Sequence, residues 1–264
     1  MGPLAPLLPL IAAASQASAS HGVVWHWDRD TSGCGLIQNV DDATVLEISR
    51  TPGDGATALV IKSSKPIITV ETTLHGGRLS FEPGGAIEGD ATVLQGADGR
   101  RAIYVSTRDP TFDAKFAGAS EVDFANDKIG QAKASIKAAE AATAGLRACE
   151  DTKMKSWGID PVAWRALPVK PRPKTSPETW IDWSDYPDRE KIYKNDIDVV
   201  ARLDLAADGS VERCTVVNQP PAEFIGATCK ALKQSARLFP AQDASGKATP
   251  AAYVVDVRFG AFLL

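Results

Sequence analysis

Four cysteines, Cys34, Cys149, Cys214 and Cys229, are the residues whose type and number point first to chemistry. In an oxidising compartment an even set of thiols is a disulfide framework, and four of them allow three pairings. A zinc site is the rival use of such residues. It needs clustered Cys and His ligands, and here there is no CxxC pair and only three histidines. The one local cluster suited to acid–base work is His26, Asp28 and Asp30. A hydrolytic site would require these groups to converge in a cleft.

The rest of the search for a reaction centre is negative. Asp30-Thr31-Ser32-Gly33 has the flavour of an aspartic-protease loop, but an extra residue separates Thr31 from Gly33 and charged Asp28 and Arg29 precede it. It reads as a turn leading into Cys34. His21, His26 and His75 have no partner at a ligand or triad spacing. The chain carries no GxSxG elbow, HExxH helix, phosphate loop or dinucleotide fingerprint. No residue is assigned to catalysis, to a cofactor or to a metal, and the reading is of a non-enzymatic protein.

Three kinds of element must position what remains. From Trp25 to Thr107 the chain is a series of short apolar or β-branched runs: Leu36-Ile37, Thr44 to Ile48, Ala58 to Ile61, Ile67 to Leu74, Leu79 to Phe81 and Ala102 to Val105. Gly and Pro clusters punctuate them, which predicts an antiparallel sandwich or small barrel. From Asn126 to about Lys155 the period changes. Ile129, Ala132, Ile136, Ala139 and Leu146 recur at helical intervals in an Ala-rich stretch, so a helix carrying Cys149 is expected. Leu167 to Glu178 holds four prolines interleaved with Lys170, Arg172 and Lys174, a semi-extended basic linker.

The last third is the most legible. Val199, Ala201, Leu203 and Leu205 alternate with Asp198, Arg202 and Asp204, the period of a strand. Asp208-Gly209 supplies a hairpin turn into Val211–Val217. Ile225, Cys229, Leu232 and Ala236 form a helical stripe after Pro220-Pro221. A final apolar run goes from Tyr253 to Phe262. Arg202, Arg213 and Arg258 are placed on the solvated face of the sheet, and Trp180 and Trp183 over its entrance. Cys214 shares strand parity with Val216 and Cys229 lies on the helix stripe, so these two are expected to bond and to staple sheet to helix. Cys34 and Cys149 then close the N-terminal domain.

This stretch resembles the TonB-type C-terminal domain. The shared marks are Tyr186-Pro187 at the entrance, Asp208-Gly209 in the hairpin and Phe239-Pro240-Ala241 after the helix, while Cys214 and Thr228-Cys229 are similar to a cysteine-bearing branch. The chain departs from the family at Ile197, where a Gly is usual. The fold class is α+β: residues 22–160 a β-rich antiparallel domain closed by a helix, 161–179 a linker, and 180–264 a β-β-α-β domain. The resemblance implies binding by strand addition, in which a partner's extended segment pairs along an exposed sheet edge. That edge is expected at Tyr253, Val254, Val255, Asp256 and Val257. The implied partners are an outer-membrane receptor or other envelope protein, with a homodimer through the same edge as a variant. The rival functions are a periplasmic hydrolase with its site in the N-terminal domain and a structural envelope scaffold.

Composition narrows the setting. The chain has 264 residues, 44% of them hydrophobic, enough for two cores. A net charge of −4 argues against nucleic acid or an anionic membrane as main partner. Leu4 to Ala14 has the length of a signal-peptide core, too short for the roughly 20 apolar residues of a membrane span. Ala17-Ser18-Ala19 offers a cleavage site, so residues 1–19 read as a cleavable signal peptide and the protein as periplasmic, with no integral span. The short linker and the cleavable signal both separate it from an energy transducer held at an inner-membrane motor. N-terminal sequencing of the mature protein should start at Ser20. Met1 retained in a membrane fraction would overturn the assignment.

Overall fold

The computed structural model describes residues 24–28, 33–63, 75–95, 101–187 and 197–260. The signal segment, His21, the Asp30–Ser32 turn, the Ile67–Leu74 run and Phe262 lie outside the described residues, as does the side chain of His75. The N-terminal part is one antiparallel sheet of nine strands: β1 (His26–Trp27), β2 (Cys34–Asn39), β3 (Thr44–Arg50), β4 (Thr57–Ser63), β5 (His75–Glu82), β6 (Gly85–Gln95), β7 (Arg101–Thr107), β8 (Glu121–Asn126) and β9 (Gly130–Ser135). Their order is β1-β2-β3-β4-β7-β6-β5-β8-β9. The sheet curls until its ends approach. Gln38 on β2 donates from Nε2 to the carbonyl of Ser135, the last residue of β9, at 2.9 Å and accepts the Lys137 N–H at 2.9 Å. Leu46, Ile48, Leu59, Ile61, Leu79, Phe81, Ile103, Val105, Val122 and Phe124 fill the inside, joined by Phe112 and Phe116 of helix α1 (Phe112–Ala117). The sheet is thus one curled layer rather than two stacked ones.

The expected helix from Asn126 is corrected. Helix α2 runs only over Ala139–Ser156, and the first part of that stretch is strand β9. Ala132, Ala134 and Ile136 turn inward while Gln131, Lys133 and Ser135 turn out, a period of two. Ile129, Ala132, Ile136 and Ala139 also match a helical interval, and Gly130 with φ +108° decides between the two by beginning a hairpin strand against β8.

Helix α2 is held to the sheet by two adjacent bonds. Cys34 and Arg50 are register partners across β2 and β3. Cys34 is disulfide-bonded to Cys149 of α2, and Arg50 pairs with Glu150 at 3.1 Å and with Asp113 of α1. Burial would lift the Asp113 carboxyl, but hydrogen bonds and charge from Arg50 and then Arg147 hold it below the usual range. Burial pushes Glu150 upward against the pull of Arg50.

After α2 comes helix α3 (Pro161–Ala166), capped by Asp160, whose carboxylate accepts from the Val162 and Ala163 N–H groups. The Pro-rich stretch that follows is extended and pinned to what comes later. Its short strand β10 (Arg172–Pro173) pairs with β13 (Leu238–Phe239), and Arg172 lies over the Phe239 ring at 4.1 Å.

The C-terminal part has β11 (Ile197–Leu205), β12 (Val211–Val216), helix α4 (Ala222–Ser235), the short strands β13, β14 (Ala241–Gln242) and β15 (Ala248–Thr249), and β16 (Ala251–Phe259). The main sheet is antiparallel in the order β12-β11-β16. Gly209 has φ +84° in the hairpin turn and donates its N–H to the Ala206 carbonyl at 3.0 Å. Val199, Ala201, Leu203 and Leu205 face α4 as their alternation requires. The helix stripe is rotated from its expected position. Phe224, Thr228, Ala231 and Leu232 are buried, whereas Ile225 is 41% exposed. Phe224 outcompetes Ile225 because its ring meets Phe259 at 5.0 Å on the sheet.

Replacing Arg50 with Ala strands Glu150 against the sheet without its paired charge and leaves Asp113 with Arg147 alone. A loss of about 3–5 kcal/mol is expected, measured by denaturant unfolding of the oxidised protein.

Candidate protein-binding edge

Strand β16 forms one edge of the three-stranded sheet and β12 the other. Along β16, Tyr253, Val255, Val257 and Phe259 point into the core shared with α4. Val254 points to the opposite face and is fully buried. The side chains of Asp256 and Arg258 are exposed. Because β11 pairs with β16 residue by residue, the main-chain groups of alternate residues point outward. The Val254 N–H identifies that outer row, since it leaves the sheet to meet the Gly53 carbonyl at 3.2 Å. The row is therefore Ala252, Val254, Asp256 and Arg258.

The upper half of the row is engaged by the N-terminal part of the chain. Trp164 of α3 donates from Nε1 to the Ala252 carbonyl at 3.1 Å. The Tyr253 hydroxyl donates to Asp54 Oδ1 at 3.1 Å. Arg108 grips the same Asp54 through its carboxylate and its carbonyl, each at 2.5 Å. Burial pushes the Asp54 carboxyl above the usual range although Arg108 pulls it down, and burial also raises the Tyr253 phenol. Behind the strand, Val254 and Val200 pack with Met154, Ile159 and Trp164 in a third buried cluster.

This arrangement corrects the placement of Arg202. It does not lie on a solvated face; it donates to the Trp157 carbonyl at 2.6 Å and pairs with Asp204, its side chain 21% exposed. Arg213 and Arg258 are 70% and 62% exposed. Trp180 is buried, stacks edge-on against Tyr253 and donates to Thr175 Oγ1, so it closes the domain entrance. Trp183 is 37% exposed and lies against Tyr186 at 4.6 Å. Residues missed by sequence reasoning are Gly53, Asp54, Met154, Ile159 and Trp164. The one available signal was Trp164, a large aromatic just before the Pro-rich connection.

The second disulfide joins Cys214 of β12 to Cys229 of α4 across 15 residues. It ties the helix to the edge strand opposite β16. Of the acid–base cluster, His26 is exposed on β1, Asp28 lies just after it, and Asp30 is outside the described residues. Among the described residues no group of three or more Cys, His, Asp or Glu is placed to hold a metal ion. No helix among them is long and apolar enough to cross a membrane.

The three-stranded antiparallel sheet carries one long helix on its face and has a strand edge at each side. Residues 184–260 match the family model described as Gram-negative bacterial TonB protein C-terminal, over the stretch whose motifs carry the resemblance. No curated protein and no solved structure matches the chain.

Replacing Cys214 and Cys229 together with Ser should lower the stability of the C-terminal part by about 3 kcal/mol, the chain-entropy value for a loop of this size. Urea unfolding of the variant beside the oxidised wild type measures it.

Proposed function

We propose that this is a non-catalytic protein-interaction module of the bacterial envelope, working in the periplasm. It takes an extended segment of an outer-membrane receptor or another envelope protein by strand addition to β16, along Tyr253, Val254, Val255, Asp256 and Val257. The observation that carries this reading is the position of β16 as the terminal strand of a sheet that matches the TonB-type family. An added strand gains affinity from backbone hydrogen bonds, which any sequence offers, and specificity from alternate side chains. The exposed, opposite charges of Asp256 and Arg258 flank the lower part of the edge and favour one register of a charged partner segment.

The test separates backbone from side chain. A photo-crosslinking residue at Arg258 should capture an outer-membrane receptor or envelope protein in cells. Asp256→Pro removes an outward N–H and should abolish the adduct, while Asp256→Ala should leave most of it. A folded Asp256→Pro protein that crosslinks as well as wild type overturns strand addition at this edge.

A further inference from the structure

The outer row of β16 has four residues, and the outward main-chain groups of Val254 and Ala252 are already bonded within the chain. Gly53 accepts from the Val254 N–H and Trp164 donates to the Ala252 carbonyl. Asp54, one residue beyond Gly53, holds the Tyr253 hydroxyl. A partner strand laid along the edge needs the same N–H and the same carbonyl. Each outward group of a strand sits in one place and faces one neighbour, so the two occupants exclude one another. A partner confined to Asp256 and Arg258 would form a ladder far shorter than the usual strand of about 5–6 residues.

From this we infer that the N-terminal domain is a built-in cover for the β16 edge, and that partner binding requires the Thr51–Gly55 turn and Trp164 to lift away. This rests on the reading of β16 as the partner edge. The fit of the cover is specific. Gly53 adopts φ +87°, and a Cβ placed on it would lie 2.8 Å from Val254 Cγ2, so only glycine lets the turn approach the strand this closely. The contact is separable from both cores. Met154, Ile159, Trp164, Val200 and Val254 form their own cluster, and none of them belongs to the core of the nine-stranded sheet or to that of the three-stranded sheet. Lifting the cover therefore exposes five apolar side chains while leaving each fold intact. The partner that fits is an extended segment with an apolar residue in register with Val254, able to cover that patch in exchange.

Covering lowers apparent affinity by the fraction of molecules that are open. Two readouts on the full-length oxidised protein test this. Gly53→Ala pushes the turn off the strand, and Trp164→Phe, the gentler variant, removes only the indole donor. Amide exchange at Val254 should speed up by at least about tenfold in Gly53→Ala, with the amides that join β11 to β16 still protected. The adduct captured from Arg258 should rise in parallel, and Trp164→Phe should move both in the same direction by less. Val254 exchanging as fast in wild type as in Gly53→Ala shows that the edge is not covered and overturns the inference without reference to any partner. Faster exchange with an unchanged adduct that Asp256→Pro still abolishes overturns the cover while the edge reading stands. An adduct indifferent to Asp256→Pro fails the edge reading, and competition for that edge falls with it.

Discussion

The pairing of Cys34 with Arg50 across β2 and β3 is the constraint from which much of the molecule's architecture follows. These neighbours meet Cys149 and Glu150, which are themselves neighbours on α2, so one covalent bond and one buried ion pair fix the same point of the helix to the same point of the sheet. Gly53 lies three residues beyond Arg50, and Met154 lies four beyond Glu150. The turn and the helix end that meet β16 are thus both measured from a single staple. A buried pair of this kind is weak evidence for net stability, because desolvation offsets much of its attraction. Its role here is geometric: it sets where two surfaces stand relative to each other.

How much could be read in advance depends on how much side-chain pattern each element carries. The alternation from Val199 to Leu205 has large apolar residues on one face, and the Asp208-Gly209 turn is chemically explicit, so the hairpin was legible. Strands β6 and β8 were not. In β6 the inward positions include Ile87, Ala91 and Val93, but Gly85, Gly89 and Asp90 interrupt the run. Strand β9 was hidden for a related reason. Its inward residues are alanines, which suit a helix as well as a strand, and only Gly130 at its start separates the two.

The interface was the least legible part, and the cause is physical. Val200 stands among Asp198, Arg202 and Asp204 on a face that alternation alone assigns to solvent. A single apolar residue among three charged ones gives no moment to read. What buries it is a tertiary event: Met154, Ile159 and Trp164 pack against it, and Arg202 beside it leaves water because the Trp157 carbonyl accepts its hydrogen bond. Trp164 was similarly concealed by the prolines and cations that follow it. The Pro-rich stretch behaves as extended backbone should, yet it is held along the C-terminal part by β10 and by the cation contacts of Arg172 and Lys174 with Phe239.

Edge strands are a hazard because their outward N–H and C=O groups pair with whatever extended backbone arrives. Under the proposed function such an edge cannot be blunted permanently with a proline or a bulge. A reversible cover resolves the conflict, provided that removing it does not unfold either partner. The composition of the contact is what supports such separability. The contact combines a small apolar cluster with polar bonds from Gly53, Asp54 and Trp164, the mixed character typical of interfaces between domains that move. The Arg50 and Cys34 staple lies on the N-terminal side of the contact, and the Cys214–Cys229 bridge lies at the far edge of the C-terminal sheet. Both disulfides therefore stiffen the bodies that would separate, and neither crosses the surface between them.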